Sequence, residues 1–337
     1  AYYFCRPCPV GYSSLGGQTL NPYGRKIFES GGSSSGSGVS VAANFAVASL
    51  GSETSGSILS PSSRNSLVGL KPTIGSISRS GIVPISSFYD TSGPMTTNVF
   101  DNAILYNHMI GYDENDNSSY EANSINIDEM LNFDTSSIKI GYYERFSEDS
   151  LMKIAIADLI KINVELKSIT PKKINLPYFR DILTSDMKRD LPKYISKYGS
   201  KDLMVKNVDD IVKFNDTDSI LYAPYNQVLF NEILRDTVSD VTLEIIKKKT
   251  KKDASKYLTD LMIENDIDVF ISVDNSMAGI AAAAHYPALT IPMGYRKNGQ
   301  PSNLTFVTSS RNEQLLYNIG FAYEKISNKR LIPKNYN

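Results

Sequence analysis

The sequence has little of three residue types that often carry chemistry: it has no tryptophan, two cysteines and two histidines among 337 residues. Both cysteines, Cys5 and Cys8, belong to one CxxC pair. A single pair cannot complete a tetrahedral zinc site from its own ligands. We therefore interpret both as reduced thiols in a loop, and we predict no metal site.

The sequence also lacks a long apolar run and a dominant charge. No segment approaches the roughly 20 apolar residues that a membrane-spanning helix needs, and 35 basic against 36 acidic side chains leave a formal net charge of −1. Such a chain does not attract nucleic acid or anionic membranes through its overall field. We expect a small or neutral substrate, no nucleic-acid or membrane partner, and the cytoplasm as the default location; a homodimer is left open.

Composition divides the chain into two kinds of region. Residues 31–69 are crowded with glycine, serine and alanine, whereas residues 113–257 are rich in Asn, Asp, Lys, Ile and Tyr. Residues 39–48 are nearly all small or apolar, which predicts a helix or a strand pair buried on all sides. In the second region we expect residues 113–124 to be an exposed loop, and the lysine run 247–252 to be a solvated helix face.

Strand-like and helix-like segments alternate along the rest of the chain. Strands are predicted at residues 137–143, 268–274, 288–294 and 303–310, and those at 268–274 and 288–294 are predicted to be buried. Helices are predicted at residues 99–110, 150–166, 227–246 and 312–325. This alternation predicts an α/β fold, with a mixed or mainly parallel sheet that helices cover on both faces.

The serine-rich region offers nucleophiles, but a serine needs a base within hydrogen-bond reach and N–H donors for the oxyanion. Neither histidine is a strong candidate for this base. His108 lies in an apolar helix, His285 lies between a small-residue helix and a strand, and no GxSxG motif surrounds a candidate serine. A histidine-dependent esterase is therefore a disfavoured alternative. A lysine can replace histidine when burial lowers its pKa.

A series of motifs resembles the amidase-signature family in order and spacing. The two serine runs are GGSSSGSG at residues 31–38 and GSETSGSILSP at residues 51–61, followed by GLKPT at residues 69–73. Further matching phrases are SRSGIVPIS, YDTSGPM, YPALTIPMG and FAYEK, at residues 78–86, 89–95, 286–294 and 321–325. Within the family, GGQTLNPY at residues 16–23 and the first serine run most resemble the bacterial peptide amidases.

This resemblance implies a fold, a division of the chain and an activity. The amidase-signature fold is α/β, with a central mixed sheet covered by helices on both faces (α/β/α). Residues 1–337 would form a single domain that lacks its N-terminal part, with a signature core at 1–111, a variable substrate-roofing region at 112–266 and a C-terminal core segment at 267–337. The activity would be hydrolysis of a small-molecule or peptide carboxamide, releasing ammonia or an amine, with no metal or organic cofactor.

The resemblance also assigns roles to residues. Ser57 matches the nucleophile, and Ser33 matches the serine that follows a cis peptide bond and relays a proton to a lysine. The backbone N–H groups of Thr54, Ser55, Gly56 and Ser57 would form the oxyanion hole, assisted by the N-terminal end of a helix that begins near Ser57. Taken singly, Ser57 would be interpreted as a helix cap and Ser33 as a loop serine; within these motifs both are predicted to be catalytic.

The family's catalytic lysine has no match in this sequence. Upstream of Ser33 the one lysine is Lys26, in a loop outside the family's lysine motif, and Lys71 of GLKPT matches a position that is structural in the family. The sequence also begins with Ala1 rather than methionine. We therefore expect the chain to be truncated at its N-terminus, with the catalytic lysine upstream, and we expect this fragment to be inactive and poorly soluble.

Two departures from the family pattern bear on the substrate. Leu59 stands where the family commonly has arginine, and His285 stands where it commonly has glycine. Two alternatives share the fold. The first is the amidase-like subunit of a glutamine-dependent amidotransferase, which passes ammonia to a misacylated tRNA together with partner subunits. The second is a catalytically silent relative.

Overall fold

A computed structural model describes residues 10–334 of the chain. The strands in this part of the chain are β1 (Tyr12–Ser13), β2 (Gly17–Gln18), β3 (Ala48–Glu53), β4 (Val68–Lys71), β5 (Thr91–Thr96), β6 (Lys139–Tyr143), β7 (Glu165–Ile169), β8 (Val269–Val273), β9 (Ala288–Tyr295) and β10 (Pro301–Val307). β1 and β2 form a small hairpin, and the other strands form one sheet in the order β3-β5-β4-β9-β10-β8-β6-β7. β6 runs parallel to β7 and β8, and the other neighbouring pairs are antiparallel, so the sheet is mixed.

Helices cover both faces of this sheet. The α-helices among the described residues are α1 (Ser35–Ala42), α2 (Leu59–Arg64), α3 (Val99–Met109), α4 (Ile127–Asn132), α5 (Ser150–Lys161), α6 (Phe179–Tyr198), α7 (Val208–Asp216), α8 (Ser219–Tyr222), α9 (Val228–Arg235), α10 (Asp240–Glu264), α11 (Ala278–Ala284) and α12 (Glu313–Ser327). One apolar layer joins α3, α5 and α12 to the sheet, and a second layer joins α2, α6, α10 and α11 to it. The predicted α/β/α arrangement is confirmed.

The central strands β8, β9 and β10 are buried along almost their whole length because both of their faces are covered. Leu289 and Ile291 of β9 point into the layer with α3, α5 and α12, whereas Ala288 points into the layer with α10 and α11. Phe306 and Val307 of β10 divide between the two layers in the same way. Full burial of such an apolar side chain stabilises the fold by about 1.5–3 kcal/mol.

Two of the predicted helices are too long. The segment predicted as a helix at 150–166 contains α5, which ends at Lys161, and the start of β7 at Glu165. The segment predicted at 227–246 is divided into α9 and α10. Asp236 lies at this break, where its carboxylate accepts a hydrogen bond from the Ser185 hydroxyl (2.8 Å) and pairs with Arg189 (3.4 Å). Both partners lie on α6, so a tertiary contact stabilises the break.

The prediction that residues 39–48 are buried on all sides was wrong. α1 ends at Ala42, and β3 begins at Ala48. Between them, the side chains of Phe45 and Val47 are 77% and 84% exposed. β3 is the edge strand of the sheet, so a connection that leads into it has no neighbouring strand on its outer side.

A substitution at Gly93 tests how closely β4 and β5 pack at this end of the sheet. A Cβ at Gly93, on β5, would lie 2.0 Å from the Leu70 carbonyl oxygen of β4, so Gly93→Ala is expected to reduce the free energy of unfolding by about 1–3 kcal/mol or more. Gly36, within α1, has open space around its missing Cβ. Gly36→Ala is expected to raise stability by about 0.5–1 kcal/mol, because alanine favours the helix. Urea denaturation of both variants checks this, and equal effects would contradict it.

Candidate active site

The two serine-rich runs form loops that touch each other. The first loop, residues 31–34, leads into α1, and the second, residues 54–58, connects β3 to α2. The Ser34 N–H donates a hydrogen bond to the Ser57 carbonyl oxygen (3.2 Å). The Ser34 hydroxyl donates to the Ser52 carbonyl oxygen (3.0 Å) and accepts from the Ser52 N–H (3.1 Å). The peptide bond between Gly32 and Ser33 is cis. The structure therefore brings the backbones that carry Ser33 and Ser57 together.

A buried carboxylate organises the second loop. Glu53 is 1% exposed. Its Oε1 accepts the Gly56 N–H (2.7 Å), and its Oε2 accepts the N–H groups of Ile58 (2.7 Å) and Leu59 (3.0 Å). Burial raises the pKa of Glu53, while the positive charge of Lys71 and the three N–H donors act in the opposite direction. Sequence analysis missed this residue, although it is the one charged side chain in the run of residues 51–61.

The predicted set of oxyanion donors needs correction. The Gly56 N–H is held by Glu53, so it is not free to stabilise an oxyanion. The predicted helix begins at Leu59 rather than at Ser57, and the same carboxylate takes up its first N–H groups. Within the described chain, the N–H groups of Thr54, Ser55 and Ser57 have no acceptor. Because these three donors are free, they are the ones that can point towards a ligand.

Neither lysine considered in the sequence lies in a position to activate Ser57. Lys26 is exposed in a turn. Lys71 is fully buried, and its Nζ donates to the Pro72 carbonyl oxygen (3.0 Å). Burial lowers the pKa of Lys71 to about 8, against the attraction of Glu53 and Glu313. In residues 10–334, no hydrogen bond joins Lys71 to Ser33 or Ser57.

The histidines also lie apart from the serines. His108 is exposed on α3, with Nδ1 2.8 Å from the Ile104 carbonyl oxygen. His285 ends α11 in a left-handed conformation and is buried against Phe88, at 4.6 Å between ring centroids. Burial lowers the pKa of His285 to about 2. Nothing in the described chain links either histidine to Ser57, which disfavours the histidine-dependent alternative.

Two cavities meet beside the serine loops. The first, of about 640 Å³, is lined by both loops and by part of the 78–92 segment: Ser33, Ser34, Ser37, Leu50, Gly51, Ser52, Thr54, Ser78, Ile82, Val83, Ile85, Asp90 and Ser92. The second, of about 590 Å³, shares Ile82 and Asp90 with the first. It extends to residues 115–118 and to α6, where Asp190, Lys193, Tyr194, Lys197 and Tyr198 line it. The two cavities therefore form one cleft that reaches into the middle region of the chain.

Two charged residues near this cleft are exceptions in segments that are otherwise largely exposed, as expected. Asp116, in the loop expected to be exposed, is 6% exposed and forms an ion pair with Arg79. Lys247, in the run expected to be solvated, has a side chain that is 12% exposed and pairs with Asp186 at 2.6 Å. A buried charge requires a partner, and here each partner comes from a distant segment that the local sequence pattern does not reveal.

Comparison with known proteins identifies the family. The family model described as Amidase matches residues 9–272. The chain belongs to the amidase family. Among curated relatives, a probable amidase of Arabidopsis thaliana is 29% identical, and the match covers 97% of this chain and 65% of the relative. This chain thus spans just under two thirds of that amidase's length. A glutamyl-tRNA(Gln) amidotransferase subunit of Staphylococcus aureus is 25% identical, with coverage of 93% and 70%.

Two solved structures are similar over almost the whole chain. An amidase family protein from Bacillus anthracis is 35% identical with a TM-score of 0.92, covering 99% of this chain and 68% of that chain. The native peptide amidase from Stenotrophomonas maltophilia is 28% identical with a TM-score of 0.90, covering 99% and 73%. The amidase-signature resemblance and the predicted fold class are both confirmed.

The described part of the amidase chain lacks two further features. None of the helices in residues 10–334 is long and apolar enough to cross a membrane. The same residues contain no cluster of three or more His, Cys, Asp or Glu side chains that could hold a metal ion. Cys5 and Cys8, interpreted as reduced loop thiols, lie outside the described residues.

Glu53→Gln tests the organisation of the second serine loop. An amide has one acceptor oxygen, and its NH₂ group would face a backbone N–H, so at least one buried donor loses its partner. We expect a loss of about 1–3 kcal/mol in the free energy of unfolding. Glu148→Gln, at a side chain that is 85% exposed, is the control and should be nearly neutral. Urea denaturation measures both; a neutral Glu53→Gln would show that the carboxylate is dispensable.

Proposed function

We propose that the protein to which this chain belongs hydrolyses a carboxamide bond, with Ser57 as the nucleophile and Ser33 as the proton relay. The observation that carries this proposal is the hydrogen bond from the Ser34 N–H to the Ser57 carbonyl oxygen, which holds the two serine loops together beside the cleft. In a chain of the amidase family, this contact supports a shared role for Ser33 and Ser57.

The proposed reaction divides amide cleavage into two acyl-transfer steps. Ser57 Oγ attacks the carbonyl carbon while its proton passes through the Ser33 hydroxyl to a neutral lysine. The C–N bond then breaks, the proton returns to the leaving nitrogen, and ammonia or an amine departs. Water attacks the resulting ester by the same proton route and releases the carboxylic acid. The N–H groups of Thr54, Ser55 and Ser57 would stabilise both oxyanions.

No lysine in residues 10–334 forms a hydrogen bond with Ser33 or Ser57, so the role of the base is assigned to none of them. Lys71 is the one described lysine that is fully buried, but its Nζ is directed to the Pro72 carbonyl oxygen. Its charge also opposes the effect of burial on Glu53, which holds the nucleophile loop. A structural role for Lys71 accounts for both observations.

The proposed substrate is a peptide or small-molecule carboxamide whose acyl part extends along the cleft. The second cavity supports this because it continues from the serine loops past Asp90 to α6. Its lining includes both apolar groups, such as Ile82, and charged groups, such as Lys197. The peptide amidase from Stenotrophomonas maltophilia, which this chain resembles over 99% of its length, points to the same class.

A second candidate is the ammonia-producing subunit of an amidotransferase. The similarity to the Staphylococcus aureus amidotransferase subunit supports it. Such a protein would hydrolyse glutamine and would form a stable complex with partner subunits. Purification from its own cells separates the candidates: a free protein that acts on simple carboxamides favours the amidase, and a stoichiometric complex that uses glutamine favours the amidotransferase.

The nucleophile is tested by Ser57→Ala in the complete protein encoded by the gene. Ammonia release from peptide amides and simple carboxamides is expected to fall at least about 10³-fold, because the attacking oxygen is lost. Ser60→Ala, one turn further along, is the matched control and should retain activity. If the wild type releases no ammonia from any carboxamide, the hydrolase proposal fails and a silent relative is favoured.

The relay is tested by Ser33→Ala. Loss of a positioned proton-transfer group is expected to lower kcat/KM about 10²–10⁴-fold, with an unchanged midpoint of thermal unfolding. Ser40→Ala, on α1, controls for removal of a nearby hydroxyl. A Ser33→Ala variant with wild-type kcat/KM, in a protein that Ser57→Ala inactivates, would exclude Ser33 from proton transfer.

A further inference from the structure

Asp90 occupies the junction between the two cavities of the cleft. It lies just before β5 and is 6% exposed. Its Oδ2 accepts the N–H groups of Ile85 (2.8 Å) and Ser86 (2.9 Å), which closes the loop that precedes it. Its Oδ1 accepts a hydrogen bond from the Thr54 hydroxyl at 2.5 Å, across 36 positions of sequence. The Asp90 carboxylate therefore joins its own loop to Thr54, the first residue of the second serine loop (residues 54–58, which carry the proposed nucleophile).

The same loop is attached to the middle region of the chain. The Ser86 hydroxyl donates to Asp186 Oδ2 of α6 (2.5 Å), and Asp186 Oδ1 pairs with Lys247 of α10 (2.6 Å). Ser86 is fully buried and Asp186 is 1% exposed. A second attachment runs from the Ser87 N–H to Asp190 Oδ2 of α6 (3.0 Å). Lys247, Asp186, Ser86, Asp90 and Thr54 thus form one continuous chain of polar contacts.

Thr54 connects this chain of contacts to the second serine loop, which carries Ser57. The N–H group of Thr54 itself and those of Ser55 and Ser57 are the free donors of the loop. Glu53 anchors the loop from one side through its own carboxylate, and Asp90 anchors it from the other side through the Thr54 hydroxyl. An error of about 1 Å in the position of catalytic donors can cost on the order of 100-fold in rate, so a second anchor has a catalytic consequence.

We propose that Asp90 is a positioning residue that aligns the oxyanion donors through Thr54 and couples them, through Ser86 and Asp186, to the helices that line the substrate cleft. This inference rests on the proposed function. Loop closure alone would require only the two hydrogen bonds that Oδ2 accepts from the N–H groups of Ile85 and Ser86. The contact between Oδ1 and Thr54 joins two residues that both line the first cavity, and Asp90 also lines the second.

The pH dependence of Asp90 separates catalytic from structural effects. Burial raises the pKa of Asp90 to about 6, against its three hydrogen bonds and the charge of Arg79. An acid with a raised pKa binds its proton more tightly when folded, so stability falls as pH rises from about 4 to about 6 and is level above that. Ionisation meanwhile strengthens the hydrogen bond from Thr54, because charge-assisted bonds are stronger. Activity and stability should therefore change in opposite directions.

Other ionisable groups surround this segment, and their titration must be distinguished from that of Asp90. The groups on neighbouring elements are Glu53, Arg79, Asp116, Asp186, Asp190, Lys247 and His285. Glu53 and Asp186 are the other carboxyls here whose pKa burial raises. If the loss of activity at acid pH disappears in Asp90→Asn, it is caused by protonation of Asp90. If the loss persists in this variant, it is caused by one of the other groups.

The test measures how fast a fluorophosphonate probe labels Ser57 in the complete protein between about pH 5 and 8. Thr54→Val removes the hydroxyl without changing the shape of the side chain, and Thr54→Ser keeps the hydroxyl. Asp90→Asn removes the charge. Glu324→Gln is the matched control: Glu324 is a carboxyl whose pKa burial raises to about 7, bound to the Val99 N–H (2.9 Å) on the opposite side of the sheet.

We expect Thr54→Val and Asp90→Asn to slow labelling about 10–100-fold, and Asp90→Asn to remove the acid limb near pH 6. Thr54→Ser and Glu324→Gln should label at nearly the wild-type rate. Ser86→Ala should slow labelling in the same direction, and unchanged labelling in this variant would overturn the coupling to α6. Thr54→Val with the wild-type rate and pH profile would overturn the positioning role, even if Asp90→Asn fails to fold.

Hydrogen exchange distinguishes failure of this inference from failure of the proposed function. If wild-type Ser57 is not labelled and no amide is hydrolysed, the proposed function fails. Amide exchange in residues 54–59 then decides the inference. Faster exchange in Thr54→Val and Asp90→Asn, but not in Thr54→Ser or Glu324→Gln, supports the anchor, and equal exchange in all variants overturns it.

Discussion

The second serine loop, residues 54–58, depends on one buried carboxylate, that of Glu53. A charge with 1% exposure would strongly destabilise the fold without partners. Glu53 obtains three of them from the backbone N–H groups of Gly56, Ile58 and Leu59, and further stabilisation from the positive charge of Lys71. These contacts fold the chain back on itself directly after β3. This turn places Ser57 beside the loop that contains the cis peptide bond, and α2 begins directly after it.

The same carboxylate limits what the loop can do. Because Glu53 holds the Gly56 N–H, the N–H groups of the loop that remain without an acceptor are those of Thr54, Ser55 and Ser57. Thr54, the first of these residues, is also held by Asp90 through its hydroxyl. This makes the contact between Thr54 and Asp90 more important than its place at the edge of the site suggests. The cleft, the loop and the helices above it are connected through polar contacts between buried groups.

The parts of the structure that sequence reasoning predicted are those specified by local patterns. The apolar runs of β8, β9 and β10 and the capped helix α3 were found because burial and periodicity are visible within about ten residues. The errors and the exceptions share one cause. Residues 39–48 are apolar but lead to an edge strand, the break before α10 is stabilised by α6, and Asp116 and Lys247 are buried by partners elsewhere in the chain.

The sequence by itself determined the family and the fold, because ordered motifs and strand patterns are local properties that survive without a structure. It also placed Ser33 and Ser57 in two loops that belong together. Only the tertiary structure decided which N–H groups are free, which charges are buried and which residues anchor the second serine loop. The physical reason is the length of chain between partners: Thr54 and Asp90 are 36 positions apart, and Ser86 and Asp186 are 100 positions apart. Contacts at such separations exist only once the sheet and its helices have formed.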